Sequence, residues 1–387
     1  MAVLDVSEPE FMQDPELRMF AEAAGRFFQR EAPPERVQNW REAGQVEREI
    51  WTKAGEAGLL GVSIPEEYGG AGGDFRHDVV LVEQVARNAV EGFAIQLHNV
   101  IVLPYILLHG TEEQKRRWLP RLCTGELISS IAMSEPGAGS DLQSIRTTAL
   151  RDGNGYRING SKTFISNGQI SNFVVVVAKT DPTKGARGVS LLIVETDKVE
   201  GFRRGKTLDK IGNEAQDTSE LFFDDVWVPS ENLLGVDEGR GFYQLMAELP
   251  RERLLMAISG TITMERALEA TVEYVKNRKA FGQAIFDFQN TQFKLAEAKA
   301  KATVAKVFVN DCIAKAIAGT LDNTTSAIAK MWVTDTEWQV VDECLQLHGG
   351  YGYINEYPIA HMFRNSRIQR IYGGSNEIMK VLIARSL

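Results

Sequence analysis

Six short stretches of the chain carry residue types that could do chemistry. Ala132-Met-Ser-Glu-Pro-Gly-Ala-Gly-Ser-Asp-Leu142 is a glycine-rich run. Its backbone N–H groups and the hydroxyls of Ser134 and Ser140 suit phosphate oxygens or a polar ring. It is not a dinucleotide fingerprint, because Leu142 stands where the third small residue of that motif belongs. Lys162-Thr-Phe-Ile-Ser-Asn-Gly168 offers an aromatic ring at Phe164 and a hydroxyl at Ser166 on an expected strand. Glu248-Leu-Pro-Arg-Glu-Arg-Leu-Leu255 sets two carboxylates one helical turn apart among arginines. Asn277-Arg-Lys-Ala-Phe-Gly-Gln-Ala-Ile-Phe-Asp-Phe-Gln289 contains Arg278, whose guanidinium could clamp a phosphate. Cys344-Leu-Gln-Leu-His-Gly-Gly350 and Arg367-Ile-Gln-Arg-Ile-Tyr-Gly-Gly-Ser-Asn-Glu-Ile-Met-Lys380 complete the set. Taken singly, each is also an ordinary turn, strand, solvated cation, helix cap or terminal helix.

Composition excludes several classes. The formal net charge of −9 over 387 residues, with both signs interspersed, disfavours a nucleic-acid surface. Cys123, Cys312 and Cys344 are widely spaced with no CxxC, which points to a reducing compartment and to neither a disulfide framework nor a thiolate metal site. The five histidines form no ligand spacing, so no metal is expected. The N-terminal stretch MAVLDVSEPEFMQD is acidic and lacks a signal-peptide core, and the longest apolar run, Val100 to Leu108, contains Pro104 and is too short to span a bilayer. A soluble, cytoplasmic, bacterial-type protein without membrane insertion is expected, and a mature mitochondrial form also fits.

These stretches need elements to hold them, and the periodicity changes twice along the chain. Residues 1–122 read as a helical domain: Asp14-Pro15 is a cap with a first-turn proline, and Thr111 with Gln114 forms a capping box. Residues 123–237 read as a central β domain built from Tyr156-Arg-Ile-Asn, Phe173 to Ala178, Gly188 to Val194 and Glu220-Leu-Phe-Phe. Asp152-Gly-Asn-Gly and Asn159-Gly160 are read as hairpin turns between them, giving a small antiparallel barrel or sandwich. Residues 238–387 return to helical spacing, with segments near 251–277, 290–318 and 326–347 long enough for a four-helix bundle, the last closing on Gly349-Gly350. The expected class is therefore α+β in the order α, β, α, without the repeated βαβ units of a nucleotide-binding parallel sheet.

In this order and over essentially the whole chain, the motifs resemble the acyl-CoA dehydrogenase family. The C-terminal third is most similar to its long-chain branch, with the isovaleryl branch a relative. The resemblance implies non-covalent FAD between the β domain and the C-terminal helices, an acyl-CoA substrate, an electron-transfer flavoprotein as acceptor, and a homotetramer. It assigns Met133, Ser134, Gly139, Ser140, Phe164 and Ser166 to the flavin ring and pyrophosphate. Arg278, Phe281, Gln289, Gln346 and Gly350 correspond to residues that hold the adenosine and phosphates, partly across a subunit boundary, and Ser375 and Glu377 to the last flavin contacts. Ser140, Arg253, Tyr372, Gly373 and Gly374 fall where substrate binds.

The family's reaction removes an α-proton from an acyl thioester, which requires a carboxylate in contact and donors at the thioester oxygen. Many members place that carboxylate directly after the tyrosine, where this chain has Gly373. Glycine keeps the backbone N–H that serves the oxyanion but not the base. In the long-chain and isovaleryl branches the base is the glutamate before the arginine of the Glu248–Leu255 motif, which is Glu252 here, with Glu248 as fallback. Pro250 is read as a helix start, so that Glu252 would lie in a first turn, its anion favoured by the dipole and Arg253 and opposed by burial. Gly373 is expected to leave room near the α- and β-carbons for long, branched or isoprenoid-like chains. Two other readings stay open: an isovaleryl- or citronellyl-type branched-chain enzyme, and a protein of this fold with an oxidase or non-catalytic role.

Overall fold

The computed structural model describes residues 3–387; Met1 and Ala2, which open the acidic N-terminal stretch, lie outside the described residues. The N-terminal helices are α1 (Pro15–Glu31), α2 (Pro34–Ala43), α3 (Arg48–Glu56), α4 (Phe75–Arg87), α5 (Leu103–His109) and α6 (Glu112–Cys123). Their ends follow the sequence signals. Asp14 accepts from Glu16 N ahead of Pro15, and Thr111 and Gln114 form the reciprocal capping box of α6. A π-helical turn, Leu97–Val102, leads straight into α5. No helix among the described residues is long and apolar enough to cross a membrane.

The middle of the chain is one seven-stranded curled sheet of β1 (Ser129–Ala132), β2 (Thr148–Asp152), β3 (Gly155–Ser166), β4 (Phe173–Lys179), β5 (Val189–Glu195), β6 (Phe202–Thr207) and β7 (Thr218–Pro229). It is mixed, which corrects the purely antiparallel expectation: β4 runs parallel to β1 and touches β2 in parallel, while the other pairs are antiparallel. The run of valines in β4 is buried on both faces. Phe173, Val175 and Val177 pack toward the N-terminal helices, and Val174, Val176 and Ala178 toward the opposite core.

Asn159-Gly160 is not a turn. It lies inside β3 at a register shift, where both amide atoms of Asn159 are engaged by Asp225. A Cβ on Gly160 would sit 2.8 Å from Thr147 Cα, so the glycine permits a bulge against the neighbouring strand. Asp152-Gly-Asn-Gly does turn, between β2 and β3.

The C-terminal helices are α7 (Gly241–Asn277), α8 (Gln289–Ile317), α9 (Asn323–His348), α10 (Pro358–Ser366) and α11 (Asn376–Ala384). The three long ones pack on one another, and the short α11 lies along α9 as the fourth. Gly349, with φ of 59°, ends α9 as its spacing requires. The start of α7 corrects the sequence reading, because the helix begins at Gly241 and Pro250 lies within it. A proline there removes a helical hydrogen bond, a cost of about 3 kcal/mol that packing on both sides must offset. Leu245 belongs to the core shared with the sheet, whereas Leu254, Leu255 and Ile258 belong to the bundle core.

Candidate active site

A cavity of about 900 Å³ opens where the sheet, α7 and the C-terminal turn meet. The glycine-rich loop after β1 brings Met133, Ser134, Gly139 and Ser140 to its wall, and the end of β3 brings Ser166. Glu252 and Arg253 come from α7, and Tyr372, Gly373 and Gly374 from the turn before α11. These ten sequence candidates, more than two hundred residues apart at the extremes, share one space.

The loop is held from beneath by Lys162. This lysine has no exposed surface, and its Nζ donates to Met133 O at 3.1 Å, Glu135 Oε1 at 2.9 Å and Val177 O at 2.6 Å. Glu135 also accepts from the backbone N–H groups of Arg146 and Thr147. Side chains built on Gly137 or Gly139 would meet none of the described atoms within 4 Å, and Gly139 offers its bare backbone to the cavity.

Glu252 is 5% exposed, and the Tyr105 hydroxyl donates to its Oε1 at 2.8 Å. Burial pushes its carboxyl up to about 7; the Tyr105 hydrogen bond opposes this, the charge of Glu248 adds to it, and Arg253 opposes it. With the helix starting at Gly241, Glu252 is far from the positive helix end, so the expected dipole assistance is absent and burial decides. Glu248, one turn earlier, is paired through Oε1 with His109 Nε2 at 3.1 Å and does not line the cavity.

Gly373 and Gly374 both take positive φ, 63° and 89°, the region that favours glycine. A Cβ on Gly373 would lie 2.0 Å from Met256 Cε and 2.9 Å from its Sδ. Met256, one turn after Glu252, thus places the flexible end of its side chain where a side chain at 373 would project. The turn is pinned from behind by Lys330, whose Nζ donates to Gly374 O and to Asn376 Oδ1, each at 2.8 Å. Burial pushes this lysine down to about 8.

The remaining candidates lie elsewhere. Phe164 is 69% exposed, with φ of 60°, and does not line the cavity. Arg278, Phe281, Gln289, Gln346 and Gly350 sit on an exposed face, Phe281 at 96% exposure and Arg278 over the Tyr351 ring at 5.6 Å. Ser375 caps α11, and Glu377 is exposed in its first turn. Tyr105, Lys330 and Met256 were not among the sequence candidates. The first two had a faint signal, each being the polar residue in an otherwise apolar local stretch, Pro104-Tyr-Ile-Leu and Ala329-Lys-Met-Trp.

Glu91, Glu214 and His361 also converge, with ligand atoms within 4.8 Å of one another. Arg41 already pairs with Glu91 at 3.0 Å, and Arg364 bonds Glu214 and His361, so guanidinium groups supply the counter-charge.

Comparisons with known proteins cover nearly the whole chain. The N-terminal, middle and C-terminal domain models of acyl-CoA dehydrogenase match residues 14–126, 130–226 and 239–387. The mitochondrial long-chain specific acyl-CoA dehydrogenase of Mus musculus is 47% identical over 95% of this chain and 86% of its own length. Mitochondrial isovaleryl-CoA dehydrogenase of Solanum tuberosum is 35% identical over 87% of this chain and 82% of its own. A crystal structure of acyl-CoA dehydrogenase from Geobacillus kaustophilus superposes with a TM-score of 0.95 at 46% identity, covering 98% of this chain and 99% of that one.

Proposed function

The chain belongs to the acyl-CoA dehydrogenase family of oxidoreductases, and from that premise we propose that it oxidises the Cα–Cβ bond of an acyl-CoA to the trans-2-enoyl-CoA with Glu252 as base. The observation that carries this reading is the Glu252 carboxyl, buried beside the cavity, hydrogen-bonded by Tyr105 and raised to about 7. A base poised near neutrality can take an α-proton and still release it. The Gly373 N–H would donate to the thioester oxygen as negative charge develops there, and the turn that presents it is fixed by Lys330. Burial of Glu252 keeps water from competing for the proton.

The open backbone of the Gly137–Gly139 loop, with Ser134, Ser140 and Ser166 at the same wall, fits a flavin ring and pyrophosphate. When bound, FAD supplies the acceptor for the hydride that leaves the β-carbon. Arg278, Phe281, Gln289, Gln346 and Gly350, exposed on one chain, would complete the adenosine site of a second subunit, which supports a homotetramer. An electron-transfer flavoprotein is the proposed acceptor, and a reducing compartment such as the cytoplasm suits the three free buried cysteines. With Met256 against Gly373, long straight chains are favoured over chains branched near the thioester.

Anaerobic mixing with a series of acyl-CoAs tests the reading. Bleaching of the flavin, with turnover under an artificial acceptor, is the expected result. Absence of bleaching by every acyl-CoA would discard it, and stoichiometric oxygen consumption would favour an oxidase.

A further inference from the structure

Two buried polar side chains pair with each other on the cavity wall, away from the base. Glu337 of α9 has no exposed surface, and Gln369 of the Arg367–Arg370 turn is 8% exposed. Both line the same cavity as Glu252. Gln369 Nε2 donates to Glu337 Oε1 at 3.2 Å, and the Thr263 hydroxyl lies close enough to hold the Glu337 carboxyl as well, while Gln369 Oε1 has no hydrogen-bond partner among the described residues. Buried polar atoms are rarely left so, because each unmet group loses its hydration without compensation.

The pair is a built feature. Gly260 of α7 faces the carboxyl, and a Cβ there would come 3.0 Å from Glu337 Oε2. The same Cβ would come 3.1 Å from Val333 Cγ1, so the glycine lets α7 approach α9 closely at the level of the carboxyl. Burial pushes Glu337 up to about 8, so near neutrality it keeps its proton. It then presents an O–H donor beside the acceptor oxygen of Gln369. A hydroxyl group, one donor with acceptor lone pairs, complements both. A hydrocarbon chain meets neither, and a ketone meets only the donor.

Position decides where on a substrate that hydroxyl would be. Gly260 lies eight residues beyond Glu252 on α7, about 12 Å along the axis at 1.5 Å per residue. The contact is therefore remote from the carbons that react. We propose that this cavity selects acyl-CoAs carrying a hydroxyl on the distal part of the acyl chain, held by Glu337 and Gln369. The proposal rests on the acyl-CoA dehydrogenase reading and names a substrate class within it.

The test uses the flavin-loaded protein and matched acyl-CoAs of equal length: unsubstituted, hydroxylated at successive positions toward the ω end, and ω-carboxylated. At least one hydroxylated chain should exceed its unsubstituted partner in kcat/KM by about tenfold or more, the worth of one buried hydrogen bond pair. The double variant Glu337→Leu/Gln369→Leu should bring that ratio to about one. Should the double variant not fold, dissociation constants of the matched ligands for the wild-type protein decide alone. Equal handling of hydroxylated and unsubstituted chains would overturn the proposal and leave the parent reading intact. So would a ratio unchanged in the double variant, or a preference for the ω-carboxylate. Inactivity toward every acyl-CoA would instead remove the parent reading and this proposal with it.

Discussion

The Tyr105 hydroxyl and the Glu252 carboxyl, 147 residues apart in sequence, meet at 2.8 Å in the interior. The tyrosine favours the ionised form of a group that burial holds protonated, so the two set the base's proton affinity between them. Removing either gives a distinct signature.

Glu252→Gln keeps shape and one hydrogen bond but loses proton affinity. It should still bind flavin and acyl-CoA, while anaerobic bleaching slows by about 10²–10⁴-fold, the usual worth of a general base. Glu248→Gln, whose parent residue is tied to His109, should do much less. Near-normal bleaching by Glu252→Gln beside an inactive Glu248→Gln would move the role to Glu248.

Tyr105→Phe removes the donor that stabilises the Glu252 anion, so the carboxyl should titrate above its present value of about 7. The acid limb of the kcat/KM profile should move to higher pH, with a clear loss at neutrality and recovery in alkaline solution. A uniform drop at every pH would mark Tyr105 as structural support alone.

Restoring a carboxylate at 373 should recover part of the activity, and more once Met256 is cut back. In Glu252→Gln/Gly373→Glu the new side chain would meet Met256 Cε and sit on a φ of 63°. Adding Met256→Ala should raise bleaching above that of the double variant. Full recovery in the double variant would show that Met256 yields freely.

Arg278→Ala should purify with less flavin, because a phosphate deprived of its charge-assisted partner loses on the order of 1.5–3 kcal/mol. The ratio of flavin absorbance to protein measures it, and a fully flavinated variant would discard the clamp.

Glu337 gives a stability test. Its folded carboxyl titrates near 8 against 4.5 when free, so between those values the folded chain holds more protons than the unfolded one. Its contribution is fully present below about pH 4.5 and is lost as pH rises toward 8. Glu337→Gln should flatten the fall of Tm across that window. An unchanged Tm profile would mean that the carboxyl is ionised in the folded protein.

Much of the scaffold was legible because its signals are local. The caps at Asp14 and Thr111, the helical segment that became α9 and the strand at Phe173 to Ala178 read correctly from local sequence. Asn159-Gly160 misled because a pair with a strong turn preference is satisfied instead by Asp225 on the neighbouring strand. Pro250 misled because packing on either side overrides its local penalty. Most candidate residues of the cavity followed from motifs, but the groups that tune them did not. Tyr105, Met256 and Lys330 act across distances in sequence over which no periodicity extends.

The placement of Pro250 has one more consequence. Helix α7 is a single rod shared by two bodies, anchored in the sheet's core through Leu245 and in the bundle through Leu254, and notched between them. Tyr105 is seated in the first body and Glu252 is carried at the edge of the second. A slip at this joint would alter the separation of hydroxyl and carboxyl. The proton affinity of the base is thus a gauge of how firmly the two bodies are seated, and a mutation far from the cavity that loosens the joint would be read there as a shift in pH optimum.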